Sequence, residues 1–561
     1  MQVVSLCTVR SGDLEHPGTG AAQSGCAREA MMSELDRLVH LLKKGRISRR
    51  DFGRLAVATG VSVAAAESIL NFAAGAGTPK QGGSFRMGVE DGSTTDSLDP
   101  GTWNNGLTFL FGLSYFGATL TDVDQNNEVQ PNLAESFETT DGIKWAFKLR
   151  RGLTFHDGRS LTPADVVATM NFHSNKNSKS AAKGLLSGIS EVKADGNDTV
   201  VFTLKAGNVD FPYLLSDYHL PIYPASDSDG IDWKKGVGAG PFVLESFQPG
   251  VQTTGKRNPN YHKTGQPYFD DVALISILDD AARSNALITG DTQYLGRVNF
   301  QTIDLLKKND QIEIDSITGT YQFQAPMNTT VAPFNNVDVR LAIKWAIDRD
   351  ELVNKIIRGY GTAGNDDPIG PHTKFFVQPQ PVFKYDPDKA SFHLKKAGFD
   401  RLKVDFSVSD VAFGGAVDAA VLMQASAAKA GIDINVIREP SDGYWDNVWM
   451  KKPWCMSYWG GRPTVDYACS TMFTDDAAWN DTFWKNPRFN ELIRAARSET
   501  DQAKRQTAYA EAQQILHDDG GEIVLMFRNN VWAHSKAVSH GALNSNYTND
   551  GGKLLERWWF A

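Results

Sequence analysis

An α/β fold is predicted for this chain from three observations. Strand-like alternation at 144–150 and 200–204 is interleaved with helical spacing at 339–357 and 501–517. At 561 residues the chain exceeds what one hydrophobic core organises, so two or three domains are expected. It contains no internal repeats, low-complexity linker or heptad pattern.

The elements follow in order. Trp145, Phe147 and Leu149 alternate with Lys144, Lys148 and Arg150, the period-2 pattern of a half-buried strand. Arg151-Gly152 turns the chain, and Leu153-Thr154-Phe155 starts a second short strand before the turn His156-Asp157-Gly158. Thr162 is placed to N-cap a helix, with Pro163 as its first residue and Asp165 as a first-turn carboxylate. Val200, Phe202 and Leu204 mark another strand. The glycine-rich run 236–241 lacks the lysine of a phosphate-binding loop and is read as a turn. Tyr509, Ala512 and Leu516 give the late helix its apolar face, and the apolar run 523–527 follows.

The N-terminal stretch carries a compartment signal. Ser48-Arg49-Arg50-Asp51-Phe52-Gly53-Arg54 has the form of a twin-arginine export signal, and residues 55–66 are mildly apolar. That run is short of the roughly 20 apolar residues a membrane span needs. Ala74-Gly75-Ala76 offers a cleavage site, which makes residues 1–76 a leader and starts the mature chain near Gly77. The alternative is a cytoplasmic amphipathic helix from Arg50, and translation could equally start at Met31 or Met32. The leader holds nine Lys/Arg and seven Asp/Glu, so its removal takes the net charge from −9 to −11 over 485 residues. An acidic body without a basic tract argues against nucleic acid or anionic lipid as a partner. Cys7 and Cys26 fall before the export signal. Cys455 and Cys469 are either a disulfide pair or two separate buried thiols.

Several motifs then recur in one order: Ser97-Leu98-Asp99-Pro100, Gly238-Ala239-Gly240-Pro241-Phe242, Arg257-Asn258-Pro259-Asn260-Tyr261, the run 333–340 (PFNNVDVR) with 346–350 (AIDRD), and 385–390 (YDPDKA) with Lys396-Ala397-Gly398. Together with the 133–171 stretch they resemble the extracytoplasmic solute-binding proteins of family 5, the peptide- and nickel-type receptors of ABC importers. The resemblance implies a two-lobed type II periplasmic-binding fold. Lobe I would take residues 77–300 and 533–561, with an extra subdomain at about 120–230, and lobe II would take 301–532. It also implies a monomer in the periplasm of a Gram-negative bacterium that captures a small organic solute, closes on it, and delivers it to a permease driven by ATPase subunits. No cofactor and no catalysis are implied.

Enzymatic signatures agree with that reading. The chain has no HExxH, GxSxG, CxxC or GxxxxGK[ST] motif. His156 is read as holding its turn by a hydrogen bond rather than as catalytic. The eleven histidines are scattered, with no pair at metal-ligand spacing in the cleft-forming segments. A periplasmic hydrolase on the same frame is the distant alternative.

The solute is read from one departure. In dipeptide-binding relatives a WTGDNGDPDNF segment supplies an aspartate for the peptide ammonium. The corresponding stretch here is 458–467, YWGGRPTVDY, with Gly461 at the aspartate position and Arg462 next to it. A guanidinium favours a carboxylate or phosphate, which it grips with two parallel hydrogen bonds. The competing reading is a structural ion pair of Arg462 with Asp466. Trp445 and Trp459 are expected cleft walls with Tyr458 beside them, Gly460-Gly461 permitting close approach, whereas Trp449 and Trp454 are expected to pack in the core. The resemblance adds Asp91, Trp103 and Asn104 on the opposing lobe and Asn328 near the crossover. Peptide, opine, oligosaccharide and metal-chelate ligands all suit such a cleft, and a zwitterion or polyol would bridge Asp91 and Arg462.

Overall fold

Phe85 and Met87 alternate with exposed Ser84 and Arg86, and the strand Ser84–Val89 that they form runs through a nine-stranded mixed sheet. In this computed structural model the described residues are 79–561, apart from 228–229, 372, 441–443 and 478. The leader, with Arg49 and Arg50, lies outside them. Ser84–Val89 is parallel to Asp271–Ser276, pairing Phe85 with Val272 and Met87 with Leu274, and parallel to Tyr294–Leu295 on its other side. Next come two long antiparallel strands, Val524–Ser535 and Ile312–Gln324, paired from Ile312↔Ser535 to Gln324↔Val524. Ser457–Trp459 adds to the far edge through Gln322 and Gln324.

The long strands join separate cores. At one end Ile312, Val531 and Ala533 pack with Leu287, Leu295 and Ile303. At the other, Phe323, Ala325, Leu525 and Met526 enter a core shared with the helix Val337–Ala346 and the parallel strands Leu402–Val408 and Ile432–Arg438. Thirteen residues at roughly 3.3 Å each allow a reach of about 40 Å, enough to run from one core to the next. A third core sits on the first strand, where Trp558 and Leu554 of the C-terminal segment pack beside Phe85. Lys263 holds that segment down: its ammonium lies 2.6 Å from Glu556 and 3.1 Å from Asp122.

A separate four-stranded antiparallel sheet (Ala134–Thr139, Lys144–Leu149, Thr199–Leu204, Ile189–Asp195) encloses its own core against the helix Pro163–Ser174. The alternation at 144–149 buries Trp145, Phe147 and Leu149 as expected. Thr162 caps the helix and Pro163 opens it. The Thr162 amide donates to Asp165 at 2.8 Å, and Asp165 also accepts from the Ala225 amide and from Arg159. His156 holds its turn as expected: its Nε2 donates to the Gly240 carbonyl at 3.0 Å while Nδ1 accepts from the Gly238 amide at 3.3 Å.

Three local readings are corrected. Residues 153–155 form a single bridge, Thr154 to Ser160, where the chain doubles back after the turn: the Phe155 amide donates to the Arg159 carbonyl and the Leu161 amide to the Leu153 carbonyl. The helical stretch 339–357 is two helices, Val337–Ala346 and Arg349–Lys355. Ile347 is extended, and Asp348 caps the second helix by accepting from the Glu351 amide at 2.9 Å. The late helix, Gln502–Asp519, runs two residues past the expected end. Cys455 and Cys469 are both buried and free, so the two-thiol alternative holds.

Candidate functional site

A cavity of about 670 Å³ lies where Val298, from the core at one end of the long strands, meets Phe323 and Phe413 from the core at the other. Its size is that of a small-molecule pocket. Tyr321 and Phe323, two apart on one strand, present the same face to it. A register shift between Thr318 and Tyr321 sets Tyr321 opposite Arg528. The Arg528 guanidinium consequently lies 4.2 Å over the Tyr321 ring. Phe323 stacks on Phe413 at 3.9 Å, and Tyr321 on Tyr458 at 5.3 Å.

The cavity is charged as well as aromatic. Glu90 directly follows the first strand and lines this region, with one buried carboxylate oxygen that has no hydrogen-bond partner among the described residues. Burial, then the charge of Asp91, raises its carboxyl above the usual range, against the pull of Arg297 and Arg283. Arg297 is held at φ 50°, a left-handed conformation that costs a residue with a side chain about 1–3 kcal/mol and persists where surrounding packing dictates it. Arg283 is paired with Asp280. Among the described residues neither Arg297 nor Arg528 has a carboxylate within 4.0 Å. Burial draws the Arg528 guanidinium below its ordinary range.

None of the nine residues singled out from the sequence lines this cavity. Asp91 stands behind Glu90, and its two carboxylate oxygens accept the Gly106 and Leu107 amides at 2.8 and 3.1 Å, which caps the helix Gly106–Leu113. Trp103 is a core residue whose indole donates to the Ser97 carbonyl, while Asn104 is exposed. Asn328 closes a local turn with Thr330. Tyr458 backs Tyr321, and Trp445 meets Tyr458 edge-on at 5.5 Å.

The competing Arg462–Asp466 pair does not form. Asp466 is bound by Arg497, at 2.9 and 3.1 Å, and burial lifts its carboxyl to about 6 despite that partner. Arg462 instead donates to the Gly460 and Gly461 carbonyls and sits 5.8 Å from Trp459 and 5.5 Å from Tyr467. The close approach that Gly461 permits is made by the protein itself: a Cβ there would meet the Thr320 hydroxyl at 1.6 Å. No aspartate fits at this position.

Trp459 is buried against Trp449, and the Trp449 indole donates to Asp481 at 2.9 Å. Burial pushes the Asp481 carboxyl up to about 7. A raised carboxyl makes the folded state hold more protons than the unfolded one between about pH 4 and 7, so folding loses stability as pH rises through that window. Asp481→Asn, neutral throughout, is expected to gain on the wild type as pH goes from 4 to 8. Denaturant midpoints of both proteins at several pH values check this, and a constant gap contradicts it.

Sequence reasoning passed over Glu90, Arg297, Tyr321 and Arg528. A usable signal was the arginine directly after the apolar run 523–527, since a cation at the end of a buried strand needs a reason.

Comparison with known proteins decides the family. The sequence profile described as bacterial extracellular solute-binding proteins, family 5 (middle), matches residues 128–481. The chain belongs to this family. It is a solute-binding protein, with the mixed α/β fold of its relatives. The glutathione-binding protein GsiB of Pectobacterium atrosepticum is 27% identical over 475 residues, covering 80% of this chain and 90% of that protein. Among solved structures, the periplasmic binding protein DppA from Helicobacter pylori, in complex with peptide STSA, is 25% identical with a TM-score of 0.71 over 85% of this chain and 98% of its own. AgaA from A. tumefaciens R10, in complex with agropinic acid, has a TM-score of 0.71 at 23% identity, covering 85% of this chain and 99% of its own. Among the described residues no helix is long and apolar enough to cross a membrane.

Proposed function

We propose that this protein is the capture receptor of an ABC importer and that the 670 Å³ cavity takes a small peptide-like solute with more carboxylates than ammonium groups. The observation that carries the reading is the pair Arg297 and Arg528 on one cavity, with no carboxylate among the described residues in ion-pair range of either. A buried cation needs a partner of opposite charge to offset its desolvation, and a solute carboxylate supplies one. Glu90, with an oxygen unbonded, suits a solute ammonium. Tyr321 and Phe413 offer apolar walls between the charged ends. Glutathione has two carboxylates and one ammonium, and a relative 27% identical is named as a glutathione-binding protein.

In this reading residues 77–300 with 533–561 form one lobe and 301–532 the other, with a subdomain at about 120–230. The solute stabilises the closed form by binding both sides of the cavity. The monomeric receptor, exported through the twin-arginine signal at Arg49-Arg50 to the periplasm, then passes the unchanged solute to a permease with ATPase subunits. Calorimetric titration with reduced glutathione and with lysyl-lysine tests the charge preference. Glutathione is expected to bind and raise the melting temperature by mass action, and lysyl-lysine to do neither. Binding of lysyl-lysine in preference to glutathione overturns the reading.

A further inference from the structure

Away from the cavity, Asp315, His534 and His540 bring three ligand atoms within 4.8 Å of one another. Asp315 and His534 are diagonal neighbours on the two long strands, since Asp315 pairs with Trp532 and Glu313 with His534. His540 follows the short strand Val538–Ser539 and folds back beside them. Both Nε2 atoms lie 3.0 Å from the same Asp315 oxygen.

The hydrogen bonding turns both rings toward one point. His534 donates Nδ1–H to the Ser535 carbonyl at 3.0 Å, and His540 donates Nδ1–H to the Gly541 carbonyl at 2.7 Å. A carbonyl only accepts, so each ring in its neutral form turns a lone pair, not a proton, toward a carboxylate that also only accepts. His534 is 1% exposed, and among the described residues neither its Nε2 nor the Asp315 oxygen has a hydrogen-bond partner of acceptable geometry, despite their 3.0 Å separation. Ligand atoms bound at about 2.1 Å and at right angles around one ion lie roughly 3 Å apart, with lone pairs aimed at the ion rather than at each other. Outer-nitrogen bonds to backbone carbonyls are the usual support of metal-binding imidazoles.

We propose that Asp315, His534 and His540 form a binding site for a divalent first-row transition cation, pinning both long strands to the C-terminal segment. Two imidazoles and one carboxylate are the donor set such ions prefer over calcium or magnesium. The ion would be structural, since the site is built from residues that do not line the cavity.

The test uses the full chain, stripped with EDTA and titrated with Zn²⁺ in equilibrium dialysis, with Co²⁺ absorption as a second readout. The wild type is expected to bind one equivalent more than His540→Gln and Asp315→Asn, and to show visible Co²⁺ bands that both variants lack. Loss of a direct ligand is expected to weaken this equivalent by more than about a hundredfold, beyond the effect of losing an outer partner. Zn²⁺ is further expected to raise the melting temperature of the wild type but not of His540→Gln, whose partly exposed position in the C-terminal segment lets the fold survive. Equal stoichiometry and equal Co²⁺ spectra in wild type and variants overturn the proposal and leave a His–Asp–His ion cluster. Glutathione titration of the EDTA-treated protein keeps this result separate from the reading of the cavity.

Discussion

An Arg528→Met variant is expected to bind glutathione roughly 30- to 1,000-fold more weakly, the equivalent of about 2–4 kcal/mol. Arg528 lies against Tyr321 on the cavity wall with no carboxylate among the described residues within 4.0 Å. Removing it leaves the solute carboxylate desolvated and unpaired, and that penalty dominates the loss. Stability should move the other way. A buried cation without a carboxylate partner costs the solute-free protein energy, so methionine is expected to hold or raise the melting temperature. Calorimetry with a thermal melt on the same sample separates the effects: lower affinity in an equally stable protein supports the assignment, and unchanged affinity removes Arg528 from the site.

Arg349→Met is expected to lower folding stability by about 3–5 kcal/mol. Its guanidinium reaches Asp366 at 2.7 and 3.0 Å and also donates to the Val524 and Lys344 carbonyls at 3.1 and 2.9 Å. Asp366 is fully buried and also accepts the Val524 amide. Without Arg349 a carboxylate is stranded in the core, which is costlier than never having had the pair. Adding Asp366→Asn removes the stranded charge and is expected to recover part of the loss. Urea denaturation of the single and double variants checks this, and a loss under about 1 kcal/mol for Arg349→Met contradicts it.

The motifs legible in the sequence serve the fold rather than the solute. Asp165 caps its helix and binds Arg159, His156 joins two turns, Arg340 ties the Phe334 carbonyl to Asp519, and Arg349 anchors Asp366. Caps and turns act over three or four residues, so their chemistry is written in consecutive letters. The candidate cavity draws on positions 90, 297, 321, 413 and 528, each unremarkable among its neighbours. Arg462, the guanidinium expected at the cleft, donates to its own backbone carbonyls.

By itself the sequence determined the α/β class, the strand 144–149, the capped helix at 163 and the family, because these rest on periodicity, capping and local motif order. Tertiary structure alone decided which charges are unpaired. Asp466 has Arg497 as its partner across 31 residues, while Arg297 and Arg528 face one cavity from different segments. Likewise Asp315, His534 and His540 meet only because two long strands lie antiparallel in one register. Electrostatic partnership depends on distance through space and on burial, and neither is encoded in separation along the chain.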